Sequence, residues 1–511
     1  MRNTKSIGAV GVINALSTVL GLLYSVVLAR YFGVGTSIEV YFASTTLLFM
    51  INSLTQSGLL AEIALPIYHQ YQSNESQDSA NRVMSVVVNW LGILAIVFSL
   101  GSFLGAPWLF YWSASGFDAE RLEQGVKIFR IISPLLFVEI MKSQISSMVN
   151  AEKRFGKIEW VNILNQVTSM LFIVLLAAQF EVYSVVAGLW VGELIALGYG
   201  VYVLSKTKFR YHFILKHPGF EVTSVLKKMG FTFIYVLVTQ VYLFYLNSLI
   251  TSLPKGTYAV YRYAMLIFSK IQGLLIRPVS TIFFSQFSSA FHVGSNRLKA
   301  LVEETASLSF VISAFAFGGL MAAGHPLLRI LWEGEKFTGG AIMEVYKTLT
   351  IISICLFFNA LAIIFRKISM TLGKVKEMYL GFIAVQILSF VALLFLKNII
   401  SLELVLAVLL LNTIVLAIVP ILLVKLTSGI DVAINLGEKT GRNVVYFLLL
   451  SGFGAMLEWT TLHFGIFQNA FVAFGFSVAV FMLLSVLAAF LLGLNELRFL
   501  KSIQARIASR F

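Results

Sequence analysis

Runs of about 20 consecutive apolar residues recur along this chain, and each is long enough to cross a bilayer as an α-helix rising about 1.5 Å per residue. In the hydrocarbon the backbone has no water to bond, so only helices and closed barrels can span it. Barrel strands alternate apolar and polar residues over about 10 positions, and these runs do not alternate. Of 511 residues, 58% are hydrophobic and 12% charged, and the mean hydropathy is +0.88. A soluble domain needs more polar surface than that. The expected fold is therefore an all-α membrane protein with about 14 transmembrane helices. The first run, Gly8 to Ala29, is too long for the core of a signal peptide and lacks a small-residue cleavage site, so it reads as the first span. The single cysteine, Cys355, leaves no disulfide to form within the chain.

The runs place helices near 8–29, 40–64, 85–111, 125–150, 158–180, 183–204, 230–252, 257–285, 305–329, 341–365, 378–396, 402–424, 443–464 and 469–495. The two longest polar stretches are Ser205–Met229 and Lys425–Arg442. They predict a six-helix N-terminal lobe over 1–204, a linker over 205–229 and a six-helix C-terminal lobe over 230–424. A loop over 425–442, a final helix pair over 443–495 and a basic tail over 496–511 complete the chain. Six helices followed by six is the spacing of transporters built from two related lobes.

Charge sets the expected orientation. With the N-terminus inside, the cytoplasmic segments collect Lys153, Arg154 and Lys157, then Lys206, Lys208, Arg210, Lys216, Lys227 and Lys228. Arg366, Lys367, Lys374 and Lys376 follow, and the C-terminal tail adds Arg498, Lys501, Arg506 and Arg510. The opposite loops are poor in base; the one around Phe117 sets Asp118, Glu120 and Glu123 against Arg121. By the positive-inside rule both termini are cytoplasmic. The same rule accounts for the net charge of +14 without a nucleic-acid partner.

A charge inside a bilayer costs roughly 2.5–3.5 kcal/mol on insertion scales, so a retained one needs a reason. Arg262, Lys270 and Arg277 are spaced by 8 and 7 residues, which puts them on one face of the eighth helix. Such a stripe suits an anion in a hydrated cavity, and diphosphate is the obvious lipid-borne anion. On the second helix Thr45, Asn52 and Gln56 share a face, with Glu39 near its start; Asn52, Gln56 and Glu39 join the basic stripe as expected substrate-binding residues. Glu139 and Lys142 are three residues apart on the fourth helix and should pair. Glu193, mid-helix in the sixth span, is either paired with Lys142 or free to couple a proton or ion, with Glu139 the companion candidate. No Walker A sequence, no His/Cys/carboxylate spacing for a metal and no nucleophile–base pair is visible. No cofactor and no enzymatic activity are expected.

The N-terminal third resembles the MurJ/MviN family of lipid-linked glycan flippases, within the multidrug/oligosaccharidyl-lipid/polysaccharide exporter group. Ser17, Val19-Leu20-Gly21, Ala29-Arg30, Phe32-Gly33, Gly35, Glu39, Phe42-Ala43, Gly58 and Pro66 carry the likeness. Ala106-Pro107-Trp108, Gly116-Phe117 and the stretch from Asn150 to Phe155 extend it. The family usually has Asp where this chain has Glu39. The resemblance implies two lobes around a central cavity and a lipid-tail groove made by the last helix pair. It also implies transport of a polyprenyl-diphosphate-linked glycan to the outer leaflet by alternating access. Its partners would be that glycan, membrane lipids, and glycan polymerase or glycosyltransferase machinery.

Lipid II flippases, which serve peptidoglycan synthesis and so cell wall biogenesis, carry cavity arginines on the first, second and eighth helices. The matching positions here are Thr18, Tyr24 and Asn52, while Met265 and Leu266 fall where the family has an acid–arginine pair, one turn beyond Arg262. A less basic cavity favours an exopolysaccharide or O-antigen repeat unit over lipid II. A cation-coupled multidrug exporter is the further alternative, but it would call for an acidic cavity rather than a basic eighth helix.

Overall fold

The computed structural model describes residues 2–56, 65–152, 157, 160–293, 295–428, 432–463 and 469–494. Side chains are described at these positions except 2–12, 14, 56, 65, 66, 151, 222, 224–229, 276–293, 295–300, 428, 432–440 and 463. Among the described residues there is no β-strand, only an isolated bridge between His217 and Phe220. The helices are α1 (Arg2–Phe32), α2 (Thr36–Gln56), α3 (Leu65–Asn74), α4 (Gln77–Leu104), α5 (Ala106–Ser113) and α6 (Ala119–Ile132). Next come α7 (Leu135–Ala151), α8 (Trp160–Phe180), α9 (Tyr183–Ser205), α10 (Val222–Thr251), α11 (Thr257–Val293) and α12 (Ser295–Trp332). The rest are α13 (Gly339–Ser353), α14 (Cys355–Thr371), α15 (Val375–Leu396), α16 (Leu402–Ser428), α17 (Val432–His463) and α18 (Ala470–Leu491).

The all-helical membrane fold is as expected, and 12 helical stretches among the described residues are long and apolar enough to cross a membrane. Two of the expected spans, the fourth and the eighth, are not among them. The fourth is divided into α6 and α7 at Ser133-Pro134, and each half is shorter than a bilayer crossing. The eighth, α11, has described side chains only over 257–275, the half that carries Arg262, Lys270 and three tyrosines, so its full length falls outside that measure. The third and tenth spans are also divided, at Gly105 and Ile354.

Helix ends differ from the apolar runs because hydropathy marks the bilayer rather than the end of the hydrogen-bond ladder. Thus α10 begins at Val222, inside the expected linker, and α17 begins at Val432, inside the expected loop. α11 and α12 extend to Val293 and from Ser295, well into the stretch read as a loop at 286–304. The expected loop at 67–83 holds α3 and the start of α4, whose N-cap Ser76 accepts the Ser79 amide.

By contact the chain divides into two units. One comprises Met1–Ala259 with Leu394–Ile400; the other comprises Val260–Leu393 with Ser401–Phe511. The seventh helix, α10, thus groups with the N-terminal residues, since it packs on α2 and α5.

Small residues set the closest helix contacts, as expected where lipid removes the hydrophobic drive between helices. In the first unit, a Cβ on Gly188 or Gly192 of α9 would meet the backbone of Ser169 or Asn165 on α8 at 2.9 Å. In the second, a Cβ on Gly454 of α17 would stand 2.5 Å from the Gly318 carbonyl oxygen of α12. Val311, Ala314, Ala322, Leu450 and Phe481 form the core where α12, α17 and α18 meet.

Candidate functional site

A heavily bonded polar centre of the first unit is built on Glu39. α1 stops at Phe32 because Gly33 turns the chain through φ +58°, a conformation that glycine adopts without strain. The turn delivers Glu39 to the first turn of α2, where it is 1% exposed. Its Oε1 accepts the backbone N–H groups of Gly256 at 2.9 Å, Tyr258 at 3.0 Å and Ala259 at 3.4 Å. These are amides at the start of α11, so a carboxylate on one helix caps another and faces the positive end of its dipole. Oε2 accepts Nη1 of Arg121 at 3.1 Å.

Arg121 is itself buried, at 8% exposure, with its guanidinium 4.5 Å from the centre of the Phe117 ring. Asp118 is the N-cap of α6 and accepts the Arg121 amide at 3.0 Å. Its other oxygen lies 3.3 Å from Arg121 Nε and 3.1 Å from Lys255 Nζ. The Arg121 amide, and after it Lys255, hold the Asp118 carboxyl below its ordinary value. The Tyr258 hydroxyl lies 3.1 Å from Asn247 Oδ1 and 3.2 Å from Thr46 Oγ1. Ser115 and Ser248 hydroxyls meet at 2.6 Å. Next to them a Cβ on Gly116 would lie 2.2 Å from Ser252 backbone atoms. The start of α2, the α5–α6 loop, the end of α10 and the start of α11 are thereby tied into one latch.

The predicted site residues fall in several places. Glu39, expected with the substrate-binding set, has both carboxylate oxygens occupied by protein donors. Asn52 is buried on α2, with its carbonyl accepting the Thr55 hydroxyl at 2.7 Å. The side chains of Gln56 and Arg277 lie outside the described residues. Arg262 and Lys270 are half-buried on α11. Nε of Arg262 is buried with no hydrogen-bond partner, and neither side chain forms an ion pair among the described residues. Tyr263 beside them is fully buried against Trp332 and Phe337, which fixes the orientation of this part of α11.

Glu139, Lys142 and Glu193 form one cluster in the first unit. Lys142 Nζ is 3.2 Å from Glu139 Oε1 and also donates to Glu193. Asn165 of α8 donates its amide to the second oxygen of Glu193, which is 2% exposed. Two carboxylates thus face one ammonium. In the second unit a pocket of about 400 Å³ is lined by Glu344, Lys347, Glu403 and Glu458. Three carboxylates against one lysine give it the wrong sign for a diphosphate.

Sequence reasoning misses Arg121, Lys255 and Tyr258. Arg121 is visible only as the one base among acids in the Phe117 loop, and the other two as ordinary turn residues. Their partners lie up to 219 residues away, beyond any spacing rule.

The fold is that of the multidrug/oligosaccharidyl-lipid/polysaccharide exporter group. A solved lipid II flippase MurJ in an inward closed conformation superposes with a TM-score of 0.76 at 17% identity, covering 96% of this chain and 99% of that one. An inward-facing multidrug resistance MATE family transporter of the same superfamily matches with a TM-score of 0.65 at 12% identity, covering 83% of this chain and 99% of its own. Residues 28–475 match the model of the family described as lipid II flippase MurJ, and the chain belongs to that family. Its members are multi-pass membrane transporters and not enzymes. Similar curated proteins include the probable lipid II flippase MurJ of Thermotoga maritima, 22% identical over 374 residues (73% of this chain, 74% of the relative). Another is the probable lipid II flippase MurJ of Buchnera aphidicola from Acyrthosiphon pisum, 21% identical over 366 residues (69% and 70%).

Proposed function

We propose that this chain moves lipid II, a polyprenyl-diphosphate-linked glycan, from the cytoplasmic to the outer leaflet of the inner membrane by alternating access. The observation that carries this is the family match over residues 28–475. The preference from sequence for an exopolysaccharide or O-antigen unit is the weaker reading. It rests on Thr18, Tyr24 and Asn52 standing at arginine positions, and that deficit can be offset by cations placed elsewhere. Arg262 and Lys270 are available for this: they are half-buried and form no ion pair among the described residues. With Arg277 they hold the diphosphate, Arg262 through two parallel hydrogen bonds. Asn52 and Gln56 serve the glycan from α2.

The Glu39 latch governs access. It caps the helix that carries the basic stripe, with Arg262 one turn beyond Tyr258. Releasing the cap therefore frees the start of the element that holds the anion. Glu139 and Glu193 around Lys142 are the place where a proton or cation enters the cycle. Both termini and the Ser205–Met229 stretch face the cytoplasm, and the Phe117 and Lys255 turns face outward.

The test uses purified protein in vesicles loaded with lipid II or with an undecaprenyl-diphosphate-linked O-antigen repeat unit. Translocation is read as exposure of the glycan to an impermeant reagent on the far side. Movement of lipid II in preference to the repeat unit is expected, and the opposite preference would overturn the assignment.

A further inference from the structure

The segment that follows α9 is clamped along α4 as an irregular strap. Asn81 Nδ2 reaches the Lys208 carbonyl at 3.4 Å, and the His212 amide donates to Ser85 Oγ at 3.0 Å. Asn89 Nδ2 donates to the Ile214 carbonyl at 2.8 Å, and its Oδ1 accepts the Tyr211 hydroxyl at 2.5 Å. Trp90 Nε1 donates to the Leu215 carbonyl at 3.1 Å. His212 Nε2 stands 3.3 Å from Asp78, and the Tyr71 hydroxyl donates to the Gly219 carbonyl at 2.8 Å. Residues 81 to 90 of α4 span about 13 Å of helix, and the strap follows it over that distance.

The strap's two sides differ. Thr207 and Phe209 are its buried members. Outward stand Tyr211 at 54% exposure, Phe213 at 81% and Leu215 at 41%, with Lys206, Lys208, Arg210 and Lys216 all exposed. No acidic residue interrupts the sequence from Ser205 to Phe220. The Trp90 that holds Leu215 opens the exposed apolar stripe of α4, which continues through Ile93, Val97, Leu100 and Leu104 at helical spacing. That stripe is the lipid-facing side of the helix. The strap thus meets the bilayer where the stripe begins, with the Phe213 ring outward, the Tyr211 ring half-exposed beside it, and four cations flanking them. This is the composition of a membrane–water interface, where aromatic rings sit at headgroup level and bases attract anionic lipid.

We infer that residues 206–216 form an interfacial anchor that binds anionic phospholipid headgroups of the adjoining leaflet, with Phe213 and Leu215 inserted and Lys206, Lys208, Arg210 and Lys216 supplying the charge. Under the orientation proposed above this is the cytoplasmic leaflet. The anchor pins the connection between α9 and α10 to the bilayer, and it does not depend on which glycan is carried.

Because Cys355 is the only cysteine, a Cys355→Ala background allows one nitroxide to be placed by Phe213→Cys in the full chain. Its accessibility to oxygen and to a water-soluble relaxation agent is measured in nanodiscs of phosphatidylcholine alone or mixed with phosphatidylglycerol. The ratio favouring oxygen is expected to rise several-fold with phosphatidylglycerol. It should lose that rise when Lys206, Lys208, Arg210 and Lys216 are all changed to Gln, and it should not respond to inorganic phosphate. A label at Val97→Cys, unchanged throughout, confirms insertion. Hydrogen exchange of the His212 amide in the unlabelled protein, slower in the anionic discs, gives the same reading without the label. A nitroxide at 213 that stays in water in both lipids, or whose depth ignores lipid charge, overturns the anchor. So does a response to inorganic phosphate equal to that of the lipid. None of these outcomes bears on glycan transport, which is scored separately.

Discussion

Glu39 Oε1 lies 3.0 Å from the backbone nitrogen of Tyr258, a bond that joins residues 219 apart in sequence and sets a carboxylate against the first amides of α11. The other oxygen of the same carboxylate neutralises the buried Arg121. One side chain therefore satisfies a helix terminus and an internal cation at once. Removing it leaves the α11 amides without this acceptor and Arg121 with Asp118 as its remaining counter-charge, and breaking a buried pair costs about 3–5 kcal/mol.

Glu39→Ala is accordingly expected to open the latch. Transport should fall at least tenfold, and the loop around Phe117 should become accessible to an impermeant reagent. Glu39→Asp should keep part of the activity because the carboxylate remains, one methylene short. Full transport by Glu39→Ala at normal membrane level would show that the latch has no part in the cycle.

Gly116→Ala probes the same latch by sterics alone. Its Cβ would overlap backbone atoms of Ser252 at 2.2 Å, and backbone cannot step aside as a flexible side chain can. The α5–α6 loop should separate from the end of α10, with loss of transport and a destabilisation of about 1–3 kcal/mol, as for other overpacked sites. Thermal unfolding of the detergent-solubilised protein measures it. Gly198→Ala, exposed on α9 with nothing within 4 Å of the added Cβ, serves as the mild comparison.

Arg262→Ala is expected to abolish transport, and Arg262→Lys to impair it, since an ammonium cannot make the bidentate contact. Lys270→Ala should weaken transport, and Arg277→Ala should matter less. Flipping rates normalised to membrane protein level separate binding from folding. Normal rates in all three alanine variants would make the stripe structural and move the search to Asn52 and Gln56.

Lys142→Met and Glu193→Gln should behave oppositely. The first leaves Glu139 and Glu193 facing each other without a counter-charge, so protein level should fall. The second removes the excess carboxylate and keeps a hydrogen-bonding side chain opposite Asn165, so the fold should persist. If this cluster takes up the coupling ion, Glu193→Gln should transport without response to an imposed pH gradient or sodium gradient. A wild-type response in that variant would make the cluster purely structural.

Several features of the molecule are legible in its amino-acid order. Apolar run length implies an all-helical membrane chain, because the bilayer imposes its thickness on each segment. The Glu139–Lys142 pair is legible for an equally local reason, since three residues along a helix bring side chains together. The family likeness is carried by short motifs such as Phe32-Gly33 and Gly116-Phe117, and both lie at turns the fold needs.

What the sequence by itself determined is what depends on neighbours in the chain: the helices, their number to within the interrupted ones, and the charges that need partners. Tertiary structure alone decided who those partners are. Glu39 reads as a substrate ligand from its place at the head of a polar helix, and becomes a cap once α11 arrives from 219 residues away. Glu193 gains Lys142 and Asn165 from two other helices, and the basic segment after α9 gains its two sides only by bonding to α4. The physical reason is the same in each case. A polar group's role is set by which donor or charge satisfies it, and in a helical membrane protein those groups come from helices distant in sequence, brought close by packing.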